Sequence, residues 1–144
     1  MKKIIAAIYP IPINLVERFF SENKDVFVKY LRTSTVRLSP KNKIIFYASH
    51  GSQELVGEGL IETIEFLTSD EVLEKYITRV FLKKRELEDY IHSQPLRTSS
   101  KKMLTVAFSR IKKYDCPIKI VKPVNMGGQY LTKDDYLKLI GHKK

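Results

Sequence analysis

The chain has 144 residues, 43% of them hydrophobic, and a formal net charge of +10 at pH 7. This length and hydrophobic share exclude global disorder and predict one domain over residues 1–144. Cys116 is the only cysteine, which excludes an internal disulfide, so we expect a reducing, cytoplasmic location.

Neither a membrane segment nor a metal site is expected. The apolar run at residues 4–8 is too short to cross a membrane, and Pro10 and Pro12 interrupt the apolar stretch beyond it. The three histidines lie far apart, without a second ligand at zinc-site spacing. We therefore predict no metal, no cofactor and no membrane partner, and we interpret the apolar run as a first strand.

The charge is unevenly distributed along the chain. Residues 1–49 carry +6, residues 50–92 carry −5 and residues 93–144 carry +9. Two basic segments around an acidic one predict a two-faced surface, with one face suited to a polyanion. Lysines outnumber arginines 19 to 7, which favours attraction of phosphates over reading of bases. The alternative is that the lysines only keep the protein in solution.

In the first half of the chain, a helix is predicted to begin at Pro12, with its apolar residues in one stripe. Apolar, β-branched and aromatic runs then predict three strands, at residues 26–31, 44–48 and 55–66. Gly57 and Gly59 lie near the start of the third of these strands, where paired glycines indicate a bulge or a close backbone approach.

In the second half, Thr68 and Glu71 form a capping box for a helix whose inward residues include Ile77. A second helix is predicted at about residues 83–92. Strands are predicted at residues 103–108 and 118–121, and a last helix begins at Thr132. The inward side of that helix is predicted to include Tyr136, Leu137 and Ile140, and its C-cap is Gly141.

The predicted order is strand, helix, three strands, two helices, two strands, helix. Strands that do not alternate regularly with helices argue against a doubly wound parallel sheet. We therefore predict an α+β fold with a small, partly open barrel of five or six strands and helices on its outside.

Three parts of the chain carry a family resemblance: residues 9–12 with 25–29, residues 43–49 with 55–59, and residues 126–132. Together they resemble an archaeal family of uncharacterised proteins in the PUA-like superfamily, related to ASCH and EVE/YTH domains. The resemblance implies a small curled mixed-sheet pseudo-barrel with helices packed outside.

These relatives imply two different activities. In EVE and YTH domains the region similar to residues 43–59 borders a pocket for a modified base; here no tryptophan is present, which excludes a tryptophan cage. ASCH domains have a Gly-x-Lys motif and a downstream arginine, and some members cleave RNA or hydrolyse amides. Lys29 with Arg32 or Arg37 matches this motif in part, because Phe27 replaces the glycine.

Several basic and aromatic residues are candidates for contacts with RNA. Lys29 interrupts an apolar strand, so its charge faces either a cavity or solvent. Arg32 and Arg37 flank the next turn, as phosphate contacts or as scattered charge. Tyr47 and Ser49 share a strand face, where they could stack on a base and hydrogen-bond its edge, or belong to the core.

Two further features leave two interpretations each, and a third has one. Glu58 either reads a base or acts as a general base with a raised pKa, or it forms a salt bridge to a neighbouring strand. The loop of Gly127, Gly128, Gln129 and Tyr130 either presents backbone amides to phosphate or only turns the chain. The pair Lys101 and Lys102 is predicted to lie in a mobile basic loop.

Together these features predict an RNA-binding module for single-stranded or modified-base RNA. The sequence does not specify which RNA, and tRNA and rRNA are both compatible with it. The basic ends attract the RNA, and a small pocket near Lys29, Tyr47, Ser49 and Gln129 gives selectivity. One alternative is an enzyme that acts on RNA or on a nucleoside-like amide through Lys29 with Glu58 or a threonine. Another is a protein partner that binds the acidic face at residues 54–89.

Overall fold

A computed structural model describes residues 3–31, 36–49, 53–92, 101–120, 124 and 128–140. Within these ranges lie six strands and four helices. In chain order they are β1 (Ile4–Ile11), α1 (Ile13–Ser21), β2 (Val26–Lys29), β3 (Lys43–Ala48), β4 (Glu54–Leu67), α2 (Ser69–Tyr76), α3 (Lys84–His92), β5 (Met103–Lys119), β6 (Gln129–Thr132) and α4 (Lys133–Leu139). The elements predicted as far as α3 occur in the predicted order, whereas the two strands predicted after α3 do not correspond to β5 and β6. None of the described helices combines the length and apolarity needed to cross a membrane.

The six strands form one mixed sheet in the order β2-β5-β4-β3-β1-β6. Strands β1 and β3 pair in parallel, and the other four neighbouring pairs are antiparallel. The edge strands β2 and β6 do not pair with each other in the described part of the chain, so the sheet stays open. This confirms the predicted mixed sheet with helices outside.

Helices cover both faces of the sheet. On one face, α1, α2 and α3 enclose the larger core cluster, in which the Phe19 ring stacks on Phe46 at 4.9 Å and on Phe81 at 5.1 Å. On the other face, α4 covers a smaller cluster that includes Ile8 and Ile45. Because side chains alternate along a strand, the central strands contribute to both clusters and are apolar on both sides.

Gly57 and Gly59 make the close approach that their spacing predicts. A Cβ at Gly59 would lie 2.6 Å from the Phe108 ring, and one at Gly57 would lie 2.7 Å from the Phe20 ring. The pairing of β4 with β5 shifts register between Leu55 and Gly57, as at a bulge. The missing side chains therefore give aromatic rings room directly on the sheet.

Two predicted strand assignments are corrected. The segments 103–108 and 118–121 were expected to be separate strands, but β5 runs from Met103 to Lys119 without a break. Its polar middle, from Ser109 to Lys113, is largely exposed, which is why the apolar pattern is interrupted there. The predicted loop at residues 127–130 is replaced by β6 from Gln129 onward, while Gly127 lies outside the described residues.

The N-termini of two helices were predicted correctly, whereas two residues predicted to be buried on helices are exposed. The Thr68–Glu71 capping box is confirmed, and Thr132 begins α4 with a second capping box. Ile77 and Leu137 were predicted to point inward, but they are 61% and 45% exposed. Ile77 is the C-cap that follows the last residue of α2, so it lies beyond the buried stripe.

An ion pair joins two of the helices that enclose the larger core cluster. The guanidinium of Arg18 in α1 donates two hydrogen bonds to the carboxylate of Glu86 in α3, one of them 2.7 Å long. It also donates to the Phe81 carbonyl at 2.9 Å. Hydrogen bonding to Arg18 lowers the pKa of Glu86 to about 2, so this carboxylate is ionised at neutral pH.

Replacing Gly59 by Ala tests the contact between β4 and the Phe108 ring. The added methyl group has no space, and overpacking of this kind costs about 1–3 kcal/mol of unfolding free energy. Urea denaturation followed by circular dichroism measures the change. The control is Glu62→Ala at an exposed position of the same strand, where we expect a change within about 0.5 kcal/mol. Equal stability of Gly59→Ala and the parent protein would contradict the packing described.

Candidate nucleic-acid interface

Tyr9, on β1, is the centre of a group of polar and charged residues on the side of the sheet that faces α1. Its side chain is 2% exposed, and it forms a side-chain hydrogen bond with Tyr130 of the neighbouring strand β6. Burial, and next Tyr130, raise the pKa of Tyr9. Gly128 lies against the same ring, where a Cβ would approach to 2.6 Å, and has a φ of +86°. A larger residue at position 128 would displace the ring.

Lys29, at the end of β2, brings a positive charge to this ring. Its Nζ lies 5.7 Å from the centroid of Tyr9, which is within the range of a cation–π contact. The Phe27 ring, two residues earlier on the same strand face, stacks on Tyr9 at 5.7 Å. Lys29 therefore faces the α1 side of the sheet rather than bulk solvent alone.

Arg37 brings a second charge through Tyr130. The backbone N–H of Arg37 donates to the Tyr130 hydroxyl at 3.0 Å, and its guanidinium lies 5.5 Å from the ring centroid. Arg37 is exposed, and Tyr130 is half-buried. Tyr130 therefore connects an accessible arginine to the buried Tyr9.

Lys101 adds a third charge at Tyr30, the residue that follows Lys29. Its Nζ lies 5.8 Å from the Tyr30 centroid. The Tyr90 ring packs on Tyr30 at 5.2 Å, and its hydroxyl accepts a 2.9 Å hydrogen bond from the Tyr30 backbone N–H. Three cations thus lie on three tyrosine rings. We call this set the tyrosine–cation cluster; it consists of Lys29 with Tyr9, Arg37 with Tyr130, and Lys101 with Tyr30.

The cluster contains several of the residues singled out in the sequence. Lys29, Arg37, Lys101 and Tyr130 belong to it, and Gly128 packs against it. Arg32 lies outside the described residues. The central residue, Tyr9, was not predicted as a site residue.

The remaining candidates lie elsewhere. Lys102 is exposed near Glu71, at the start of α2. Gln129 is exposed and alternates with Tyr130 along β6, so its side chain is directed to the opposite face of the strand. These two residues therefore stand apart from the tyrosine rings of the cluster.

Tyr47 and Ser49 are also separate from Lys29. Tyr47 is 4% exposed and packs in the core cluster on the α4 face, whereas Lys29 contacts Tyr9 on the opposite face. Ser49 is half-buried, and its backbone N–H donates to the Ile11 carbonyl at 3.0 Å. The single pocket expected from Lys29, Tyr47, Ser49 and Gln129 is therefore not formed.

Glu58 forms the salt bridge that was one of its two interpretations. One carboxylate oxygen pairs with Lys43 Nζ at 2.9 Å, and the other accepts hydrogen bonds of 2.7 Å from the hydroxyls of Tyr114 and Tyr136. Burial alone would raise the pKa of Glu58, but the hydrogen bonds from Lys43, Tyr136 and Tyr114 outweigh it, and the pKa is lowered. A general base with a raised pKa is not formed.

This arrangement also bears on the enzymatic and protein-binding alternatives. Glu58 is bonded to Tyr114 on the α4 face, so it does not meet Lys29. In the acidic segment, Glu65 is paired with Lys75 at 2.7 Å and Glu86 with Arg18. Strand β4 lies between β3 and β5 in the sheet, and binding of a protein partner at residues 54–89 stays a prediction. Among the described residues, no three His, Cys, Asp or Glu side chains are grouped as metal ligands.

The sequence did not predict the network of Lys43, Glu58, Tyr114 and Tyr136. Its members lie on β3, β4, β5 and α4, and their separation along the chain hides their proximity. The alternation of Arg110, Lys112 and Tyr114 would place these three on one face if the segment is a strand, but it does not point to Lys43, Glu58 or Tyr136.

Comparison with other proteins identifies relatives. Residues 4–133 match the family model described as "Domain of unknown function (DUF365)". An uncharacterized protein of Methanocaldococcus jannaschii is 33% identical over 107 residues, which is 68% of this chain and 96% of the relative.

Solved structures of ASCH from Zymomonas mobilis share the fold. The unaltered protein superposes with a TM-score of 0.78 at 16% identity, and covers 97% of this chain and 96% of its own. A serine-to-alanine variant of it superposes with a TM-score of 0.79 at 16% identity over 100% of both chains. The chain therefore shares the fold of these ASCH structures.

Replacing Glu58 by Gln tests the buried network. The amide keeps the shape but loses the ion pair, so we expect a loss of about 2 kcal/mol of unfolding free energy at neutral pH. The folded-state pKa lies below the unfolded value of about 4.3, so the stabilisation is present above that pH and is lost as pH falls through the folded pKa. Urea unfolding from pH 7 to pH 3 measures this, with exposed Glu62→Gln as the control. A difference that does not shrink in acid would contradict the ionised network.

Proposed function

The chain belongs to the DUF365 family, and we propose that it is an RNA-binding module whose tyrosine–cation cluster holds single-stranded RNA. The observation that carries the proposal is the placement of Lys29, Arg37 and Lys101 on tyrosine rings. Single-stranded RNA presents both phosphates and unstacked bases, so it can bind a surface on which positive charges alternate with aromatic rings.

The net charge supports a polyanionic ligand. The chain carries +10, and the carboxylates of the acidic segment are partly neutralised in ion pairs with Lys43, Lys75 and Arg18. Such pairing reduces repulsion between the protein and a polyanion. Each lysine or arginine that contacts a phosphate releases counterions, so the affinity should depend on salt.

The exposure of the three rings decides which of them meets a base. Tyr9 and Tyr30 are 2% and 7% exposed, so they hold the cations in place rather than stack on RNA. Tyr130 is half-buried and the Arg37 guanidinium lies on its ring. A base therefore stacks on Tyr130 or on the Arg37 guanidinium plane, which is a common surface for unpaired RNA bases.

Lys102, which is exposed, adds to the general attraction for phosphates, whereas Gln129, directed to the opposite face of β6, is given no contact with RNA. Tyr47 belongs to the core cluster on the α4 face, and Ser49 lies two residues after it. Because the tyrosine–cation cluster is on the other face, neither residue is expected to contact RNA. A non-standard base, in tRNA or rRNA, would bind through the same stacking position.

Salt-dependent binding tests the role of the cations. The measurement is the fluorescence anisotropy of a labelled single-stranded RNA of about 12 nucleotides, a length within the site size of a small domain. We expect the logarithm of the affinity to fall linearly with the logarithm of KCl concentration. Combined replacement of Lys29, Arg37 and Lys101 by Ala should reduce the slope by about 2, or about 0.7 for each lost contact to a single strand.

A matched control separates local contacts from total charge. Lys138 is exposed on α4, on the opposite face, so Lys138→Ala should leave the slope nearly unchanged. Tyr130→Leu should keep the slope and weaken binding by about 1–3 kcal/mol, or roughly 5- to 150-fold, with folding checked by circular dichroism. Absence of wild-type affinity at low salt, or an equal effect of Lys138→Ala and Lys29→Ala on the slope, would contradict the proposal.

A further inference from the structure

A cleft of about 840 Å³ lies on the α4 face, away from the tyrosine–cation cluster. It is bounded by β4, β5 and α4, and its size is within the roughly 300–1,000 Å³ of sites for small organic ligands. Its lining includes Arg110, Lys112, Asp115, Cys116, Leu137 and Ile140.

One wall of the cleft is positively charged. Arg110 and Lys112 are exposed and alternate along β5, so their Cα atoms are roughly 7 Å apart. In the described part of the chain neither has a carboxylate within salt-bridge distance, whereas Lys43 at the base of the cleft is paired with Glu58. Two cations are therefore available for an anionic group from the same direction.

The opposite wall is apolar. Leu137 on α4 is 45% exposed and Ile140 is 9% exposed, and both line the cleft. A large apolar side chain that is half-exposed at a concave site loses contact with water when a planar or apolar group packs on it. The carboxylate of Asp115, also in the lining, can accept a hydrogen bond from a hydroxyl or amino group.

We propose that this cleft binds a small phosphate monoester with a planar or apolar body, as in a nucleoside monophosphate. Arg110 and Lys112 hold the phosphate through charge-assisted hydrogen bonds. The body of the ligand packs on Leu137 and Ile140. The site is separate from the proposed RNA contact. Tyr9 and Tyr30 of the tyrosine–cation cluster belong to the larger core cluster on the α1 face, whereas the cleft lies on the α4 face.

Cys116 offers a reporter that needs no label. It is the single cysteine of the chain, it is exposed, and it lines the cleft. The rate of alkylation by iodoacetamide, a neutral reagent, is measured by mass spectrometry with and without adenosine 5′-monophosphate. At ten times the dissociation constant, mass action leaves about one-tenth of the cleft empty, so alkylation should slow about tenfold.

Two partial ligands test the need for both ends of the molecule. Adenosine lacks the phosphate, and inorganic phosphate lacks the planar body, so each should require at least about tenfold higher concentration to protect Cys116 equally. Inorganic phosphate at equal ionic strength also controls for salt. Equal protection by adenosine alone would overturn the role of Arg110 and Lys112.

Variants on one strand complete the test. Protection is expressed as the ratio of rates with and without nucleotide, which cancels any change in the thiol itself. Arg110→Ala with Lys112→Ala should abolish protection. Lys113→Ala, whose side chain lies by the Phe20 ring on the other face, should retain it. No protection of the wild type at millimolar nucleotide, or full protection in the double variant, would show that the cleft is not this site.

Discussion

The fold depends on the absence of side chains at two positions of β4. The rings of Phe20 and Phe108 occupy the space that a Cβ at Gly57 or Gly59 would need. Phe108 also contacts Phe19 and Phe46, edge to face, at 5.9 and 5.7 Å. The close approach of α1 to the sheet, and the aromatic core beneath it, therefore follow from two glycines rather than from any polar interaction.

A sheet buried on both sides keeps the two sites apart. The tyrosine–cation cluster is built on the α1 side of β1, β2 and β6, and the cleft is built on the α4 side of β4 and β5. Strand β3, which lies between β4 and β1, is buried from Ile44 to Ala48. Buried charge occurs where it is paired, as at Glu58, whose ionised form is maintained by Lys43 and two tyrosine hydroxyls.

Local signals in the sequence were sufficient for most of the fold. Two features could be recognised from a few neighbouring residues, the capping box at Thr68 and Glu71 and the glycine pair on β4. The structure has both. The uninterrupted β5 was missed because its exposed lysines hide the apolar alternation. The grouping of Tyr9, Lys29 and Tyr130 depends on strand order. Strand order is set by pairing between distant segments, which periodicity does not encode.

The side chains of β5 alternate between the two faces of the sheet, and this limits how the length of that strand can vary among homologues. Lys112 and Tyr114 face α4, whereas Lys113 lies by Phe20 on the other face. Insertion of one residue after Phe108 would reverse every later side chain of the strand. It would bring a lysine to the core position of Tyr114 and remove the hydroxyl that donates to Glu58. Homologues should therefore vary in length in the connections and keep the residue count of β5, unless a compensating bulge restores the parity.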